Sequence, residues 1–147
     1  MSAGSMTSEN LPVAVEHLGT MVLQIGSRAP IEHGPQGSRV IVNVLGGTFE
    51  GPRLKGTIEA PAGDWITMRD DGSYRLDVRQ TLHTEDGAVI LMTHSGIGRA
   101  TETGSVIRTA MQFEAGDSRY KWLNRILAIG LGSRSGSTVT YEVYALL

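Results

Sequence analysis

Residues 73–83 read Ser-Tyr-Arg-Leu-Asp-Val-Arg-Gln-Thr-Leu-His. On an extended strand, residues two apart share a face, so Asp77, Arg79, Thr81 and His83 project together, opposite Tyr74, Leu76, Val78 and Leu82. If the polar face lines an enclosed lumen, Asp77 is a partly desolvated carboxylate able to act as a base, and Arg79 beside it orients the base or clamps substrate. On a solvated face the same two residues form an ion pair worth little.

Other groups could join this chemistry. Glu50 lies in Phe49-Glu50-Gly51-Pro52, where Gly and Pro bend the chain, and Asp64-Trp65 follows Pro61-Ala62-Gly63. Carboxylates at strand ends are well placed to face a barrel mouth, and a Trp alongside can raise their pKa and stack on a flat ligand. Asp64 can instead cap a turn, with Trp65 filling core. Tyr120, Trp122 and Asn124 occupy an aromatic-rich connection, where a phenol and an amide could donate hydrogen bonds to a developing oxyanion. The bland alternative is a hydrophobic plug with its polar tips satisfied locally. His83 and His94 are candidate ligand contacts. The four histidines, at 17, 33, 83 and 94, show no metal-binding spacing, so no metal site is predicted.

Several function classes are disfavoured outright. A formal net charge of -2, with no cluster of Lys and Arg, leaves no footprint for nucleic acid. The absence of Cys removes thiolate chemistry and disulfides, and is compatible with a cytoplasmic location. Gly46-Gly47 to Gly51 lacks the Gly-Lys-Ser/Thr of a P-loop and precedes a strand, and no Gly-x-Ser-x-Gly elbow occurs. No run approaches the roughly 18 apolar residues of a membrane helix, and the start of the chain is not a secretory signal. Chemistry without a cofactor is the expectation.

The elements that must position these groups are strands. The 147 residues include 19 Gly, only 5% aromatics and 19% charged residues, a composition suited to short strands and tight turns in a single domain. Punctuation by Gly, Pro and Asp-Gly predicts strands at about 17–26, 38–46, 48–59, 64–70, 73–83, 88–98, 105–115, 125–132 and 137–146. Asp71-Gly72 and Asp86-Gly87 suggest type I′ hairpins, with further corners at Gly46-Gly47, Gly116-Asp117 and Ser135-Gly136-Ser137. Residues 117–127 suggest one helical turn capping a barrel end, and residues 1–15 a flexible tail ahead of a domain over 16–147. Val40 to Leu45, Val89 to Met92 and Ile126 to Ile129 are apolar nearly throughout, which implies burial on both faces and predicts a homodimer or larger homo-oligomer.

Four segments together resemble the family called domain of unknown function 3237. They are Gly46-Gly47-Thr48-Phe49-Glu50-Gly51-Pro52-Arg53-Leu54-Lys55-Gly56, Gly63-Asp64-Trp65, Leu76-Asp77-Val78-Arg79 running to Thr84-Glu85-Asp86-Gly87-Ala88, and Phe113-Glu114 leading to Tyr120-Lys121-Trp122-Leu123-Asn124. The resemblance spans roughly residues 16–146 and implies a closed antiparallel β-barrel of the calycin or allene-oxide-cyclase kind, with eight or nine strands. It implies no established reaction.

The function expected from these residues is a cofactor-independent lyase or isomerase. It would act on a small, largely apolar carbonyl compound by enolisation, hydration or dehydration, or cyclisation. Asp77, Arg79, Glu50, Asp64, Tyr120 and Asn124 are the candidate catalytic residues, and Trp65, Trp122, His83, His94 and Phe113 the candidate binding wall. The alternative is a non-catalytic barrel that sequesters a hydrophobic ligand. Burial of an unpaired carboxylate discriminates the two, since a carrier has no reason to tolerate its desolvation cost.

Overall fold

The computed structural model describes residues 12–147. Eight antiparallel strands follow one another round a closed barrel, each paired with its sequence neighbours and the last with the first. They are β1 (Val15–Gly34), β2 (Gly37–Glu50), β3 (Lys55–Met68), β4 (Ser73–Thr84), β5 (Val89–Ala100), β6 (Ser105–Ala115), β7 (Ala128–Ser135) and β8 (Thr138–Leu146). Closure gives every strand a partner on both sides, although the β1–β2 hairpin beyond Gln24 runs past the end of β8. The expected all-β barrel is what forms. Of the predicted tail, residues 1–11 lie outside the described residues, and β1 begins at Val15. Among the described residues no helix is long and apolar enough to cross a membrane.

Alternation sets the inside. In β4, Leu76, Val78, Gln80 and Leu82 are buried between more exposed neighbours, and in β8 Val139, Tyr141, Val143 and Ala145 are. These rows join one continuous core within the ring.

Three details differ from the sequence expectation. The strand expected over 48–59 crosses a real turn, since β2 ends at Glu50 and β3 starts at Lys55. Gly46-Gly47 is a bulge inside β2, where the β2–β3 register slips between Asn43 and Gly47. Gly47 is needed there because a Cβ would lie 2.0 Å from the Val22 carbonyl oxygen. Pro61-Ala62-Gly63 likewise sits within continuous β3, at a register slip between Glu59 and Gly63. Eight long strands thus replace nine shorter ones.

The Asp-Gly turns also differ in type. Gly72 N–H donates to Arg69 O (3.2 Å) and Gly87 N–H donates to Thr84 O (3.1 Å). Only the glycines take positive φ, 87° at Gly72 and 93° at Gly87. Each turn is therefore a three-residue loop ending in a left-handed Gly rather than a two-residue type I′ turn. The hairpin at Gly136 (φ 61°) joins β7 to β8 as expected.

The two ends of the barrel are unlike. A 3₁₀ turn at Lys121–Arg125 fills the end where β6 passes to β7, with Leu123 fully buried in the same core as Leu18 and Leu54. The opposite end, bounded by the β1–β2, β3–β4, β5–β6 and β7–β8 turns, holds the mouth of a cavity of about 230 Å³.

Candidate active site in the barrel lumen

The cavity occupies the open half of the lumen. Its walls are mostly aliphatic, including Leu23, Val42, Ile66, Leu76 and Ile107. Among its lining residues there is one carboxylate, Asp64, and two phenols, Tyr74 and Tyr141, with Arg28 and Arg134 as the cations.

Asp64 faces inward because β3 alternates. Ile58, Asp64 and Ile66 are buried on one side, while Trp65 on the other is 42% exposed. Only 8% of Asp64 remains accessible. Its Oδ1 accepts one hydrogen bond, from Asp77 N–H at 3.0 Å. Burial raises its pKa most, the Asp77 N–H bond opposes this, and the nearby Asp77 charge raises it again; the result is about 6. A carboxyl so poised exchanges protons close to neutrality.

The tyrosines owe their places to glycines. A Cβ on Gly132 would lie 2.6 Å from Tyr141 Cε1, and one on Gly130 would lie 3.0 Å from Tyr141 Cδ1. One on Gly98 would lie 2.3 Å from Tyr74 Cζ. Inward glycines on β5 and β7 thus make room for aromatic rings that side chains would displace. Tyr141 is 1% exposed, and burial together with the Asp64 and Tyr74 groups pushes its phenol well above the ordinary range. It remains a proton donor throughout the working range.

Deeper in the barrel His94 is 3% exposed, with its ring edge-on to Tyr141 at 5.3 Å between centroids. Burial lowers its pKa to about 3, so the imidazole is neutral. Neither of its nitrogens, nor Thr109 Oγ1 or Gln80 Oε1, has a hydrogen-bond partner among the described residues.

The remaining candidates fall elsewhere. Asp77 and Arg79 form a loose pair at 3.9 Å on the outer wall, their side chains 49% and 67% exposed. The two faces of β4 were legible, but the lumen takes the apolar one, because that face packs with the rest of the core. Thr81 and His83 share the outer face, where His83 lies 3.8 Å from Glu59. Trp65 is outside too, with the Arg79 guanidinium 5.7 Å from its ring. Glu50 is exposed beside Lys55 at 3.5 Å.

Tyr120 and Asn124 belong to the closed end. Tyr120 Oη donates to the Asp86 carboxylate at 2.8 Å. Asn124 accepts from Ala115 N–H at 2.7 Å and donates to Ala115 O at 2.9 Å. Trp122 lies under the Arg53 guanidinium, 3.8 Å from its ring, and Phe113 is buried core. These residues hold the plug and do not line the cavity. Of the proposed catalytic set, only Asp64 reaches the lumen. No spacing in the sequence marks Tyr74, Arg28 or Arg134 as site residues, whereas the period of two in β8 places Tyr141 with the inward Val139 and Val143.

Comparison with known proteins gives both fold and kinship. A crystal structure of a beta-barrel-like protein from Acinetobacter baumannii AYE superposes with a TM-score of 0.86 at 28% identity, covering 96% of this chain and all of that one. A UPF0311 protein of Rhodopseudomonas palustris is 25% identical over 146 residues, 90% of this chain and 95% of that protein. A hydroalkoxylation enzyme of Penicillium herquei is 27% identical over 127 residues, covering 86% of this chain and 78% of that enzyme. The model of the protein-of-unknown-function family DUF3237 matches residues 13–146, nearly the full length, and the chain belongs to that family.

Proposed function

We propose that this protein is a lyase or isomerase that adds a hydroxyl group across a carbon–carbon double bond within a small, largely apolar substrate, using Asp64 as the proton shuttle. The observation that carries the reading is the burial of Asp64 in an aliphatic lumen with its pKa at about 6. A barrel that merely stored a ligand would gain nothing from desolvating a carboxylate. The likeness to a hydroalkoxylation enzyme supports the choice of reaction.

The Asp64 carboxylate takes the proton of the substrate hydroxyl as its oxygen bonds to one alkene carbon and the π bond breaks. The other alkene carbon then takes that proton back from the Asp64 carboxyl. One C–H and one C–O bond form, one O–H bond and one π bond are lost, and Asp64 is regenerated. A conjugated carbonyl on the substrate would spread the developing charge, and the Tyr141 phenol, which keeps its proton, would donate to that oxygen. The aliphatic walls keep water from competing with the internal hydroxyl.

The test is turnover of enols and phenols carrying unsaturated side chains, compared between wild type and Asp64→Asn. The amide keeps the shape and cannot shuttle a proton, so kcat should fall by about 100-fold or more with the fold intact. Wild-type kcat should change with an apparent pKa near 6 that Asp64→Asn lacks. Full activity in Asp64→Asn would remove the carboxylate from the mechanism.

A further inference from the structure

The two cations of the lumen lie on either side of a gap in its rim. β1 pairs with β8 only as far as Gln24↔Thr138, whereas its pairing with β2 continues to Gly34↔Gly37. The β1–β2 hairpin beyond Gln24 therefore has no β8 partner, and Arg28 sits on that stretch, exposed. It borders both the lumen and a shallow outer groove beside Trp65, as a residue on a lip must. Arg134 lies near the end of β7, adjoining the β7–β8 hairpin. Its guanidinium is held by Gly136 O at 3.0 Å and Ser105 Oγ at 3.3 Å. Neither Arg28 nor Arg134 has a carboxylate partner among the described residues, and no acid other than Asp64 lines the cavity.

We propose that Arg28 and Arg134 receive a singly charged oxyanion, a carboxylate or an ionised enol or phenol separate from the hydroxyl that reacts at Asp64, carried on the outer end of the apolar substrate. The assignment rests on the lumen being the ligand site. A guanidinium presents a planar fork that matches such an anion, and Arg134 is already braced in position. At the mouth of a low-dielectric cavity the attraction is screened less than on open surface. Charge also fixes direction. The carboxylate at Asp64 repels an anion, so the molecule enters with its uncharged end first and its acidic group stays at the rim. That orientation brings the unsaturated end to Asp64. The cavity, about 230 Å³, exceeds the roughly 150 Å³ that accommodates benzene, which suits a ring system with a short side chain.

Calorimetric titration with two matched probes, 1-naphthoate and the neutral 1-naphthalenemethanol, tests this at pH 7.5. Wild type should bind the anion at least about tenfold more tightly, the discrimination expected of one charge-assisted hydrogen-bonded contact. Added salt should narrow the ratio. Arg28→Gln, at a side chain with no hydrogen bond among the described residues to lose, should reduce the preference, and Arg28→Gln/Arg134→Gln should abolish it while the alcohol binds as before. Equal binding of the two probes, or a preference that survives the double substitution, overturns the anion assignment and leaves the Asp64 chemistry standing. Failure of both probes to bind overturns the lumen as ligand site, and both readings with it.

Discussion

From acid to neutral pH, the burial of Asp64 and of His94 makes stability depend on pH, and the two act with opposite sign. Asp64 binds its proton more tightly in the folded barrel, with pKa about 6 against an ordinary 3.8. Its contribution is therefore fully present below about pH 4 and is lost as pH rises through 6. The shift corresponds to about 2–3 kcal/mol. Asp64→Asn should accordingly raise Tm at pH 7 to 8 and lose that advantage near pH 4; a pH-independent gap in Tm would contradict the raised pKa. His94 is held neutral, with pKa about 3 against 6.5. Its contribution is present above pH 6.5 and is lost as pH falls towards 3. The larger shift makes His94 dominant, so wild type should weaken on acidification over this window by about 2 kcal/mol net of the opposing Asp64 contribution. His94→Leu should flatten that limb in denaturation curves recorded across pH, and an unchanged slope would show that the imidazole is not the group responsible.

At the scale of the elements, the inward glycines of β7 and the 3₁₀ plug do separate jobs. Gly132→Ala would drive a Cβ into the Tyr141 ring, which has little room to retreat inside the core. The expected cost is about 1–3 kcal/mol of overpacking, with weaker naphthoate binding as the ring shifts into the lumen. Unchanged Tm and affinity would mean that the ring is not seated on that glycine. Asn124→Ala removes both bonds to Ala115 and should cost about 1–3 kcal/mol while leaving probe binding in the lumen intact. Loss of binding in that variant, with stability unchanged, would return Asn124 to the ligand site.

At the scale of the whole molecule, the strands that read as apolar on both faces do carry apolar side chains on the outer wall. Leu45 on β2 is 62% exposed, and Leu131 on β7, Ile97 on β5 and Leu127 before β7 are about two-fifths exposed. Self-association would cover such surface. The expected outcome in sedimentation is a species larger than the 15.8 kDa chain. A 15.8 kDa species persisting at tens of micromolar would dispose of the homo-oligomer expected from the sequence.

Alternation and turn chemistry were enough to determine the class of fold, the position of most strands, the two faces of β4 and the cap made by Tyr120 to Asn124, because each is set by local backbone sterics and a period of two. The count of strands differs from the sequence expectation at Gly46-Gly47 and Pro61-Ala62-Gly63, where turn-forming residues serve as bulges inside continuous strands. A bulge and a turn share their residue types and differ only in whether neighbouring strands pair beyond them. The site was less legible for a related reason. Asp77 and Arg79 looked like a working pair because they are adjacent on one strand, yet which face turns inward depends on where the other seven strands bury their apolar rows. Asp64, Tyr74, Tyr141, Arg28 and Arg134 come from β1, β3, β4, β7 and β8, and no spacing in the chain links them. Only closure of the ring brings them round one cavity, and only the desolvation that closure imposes turns an ordinary aspartate into a group that exchanges protons near neutrality.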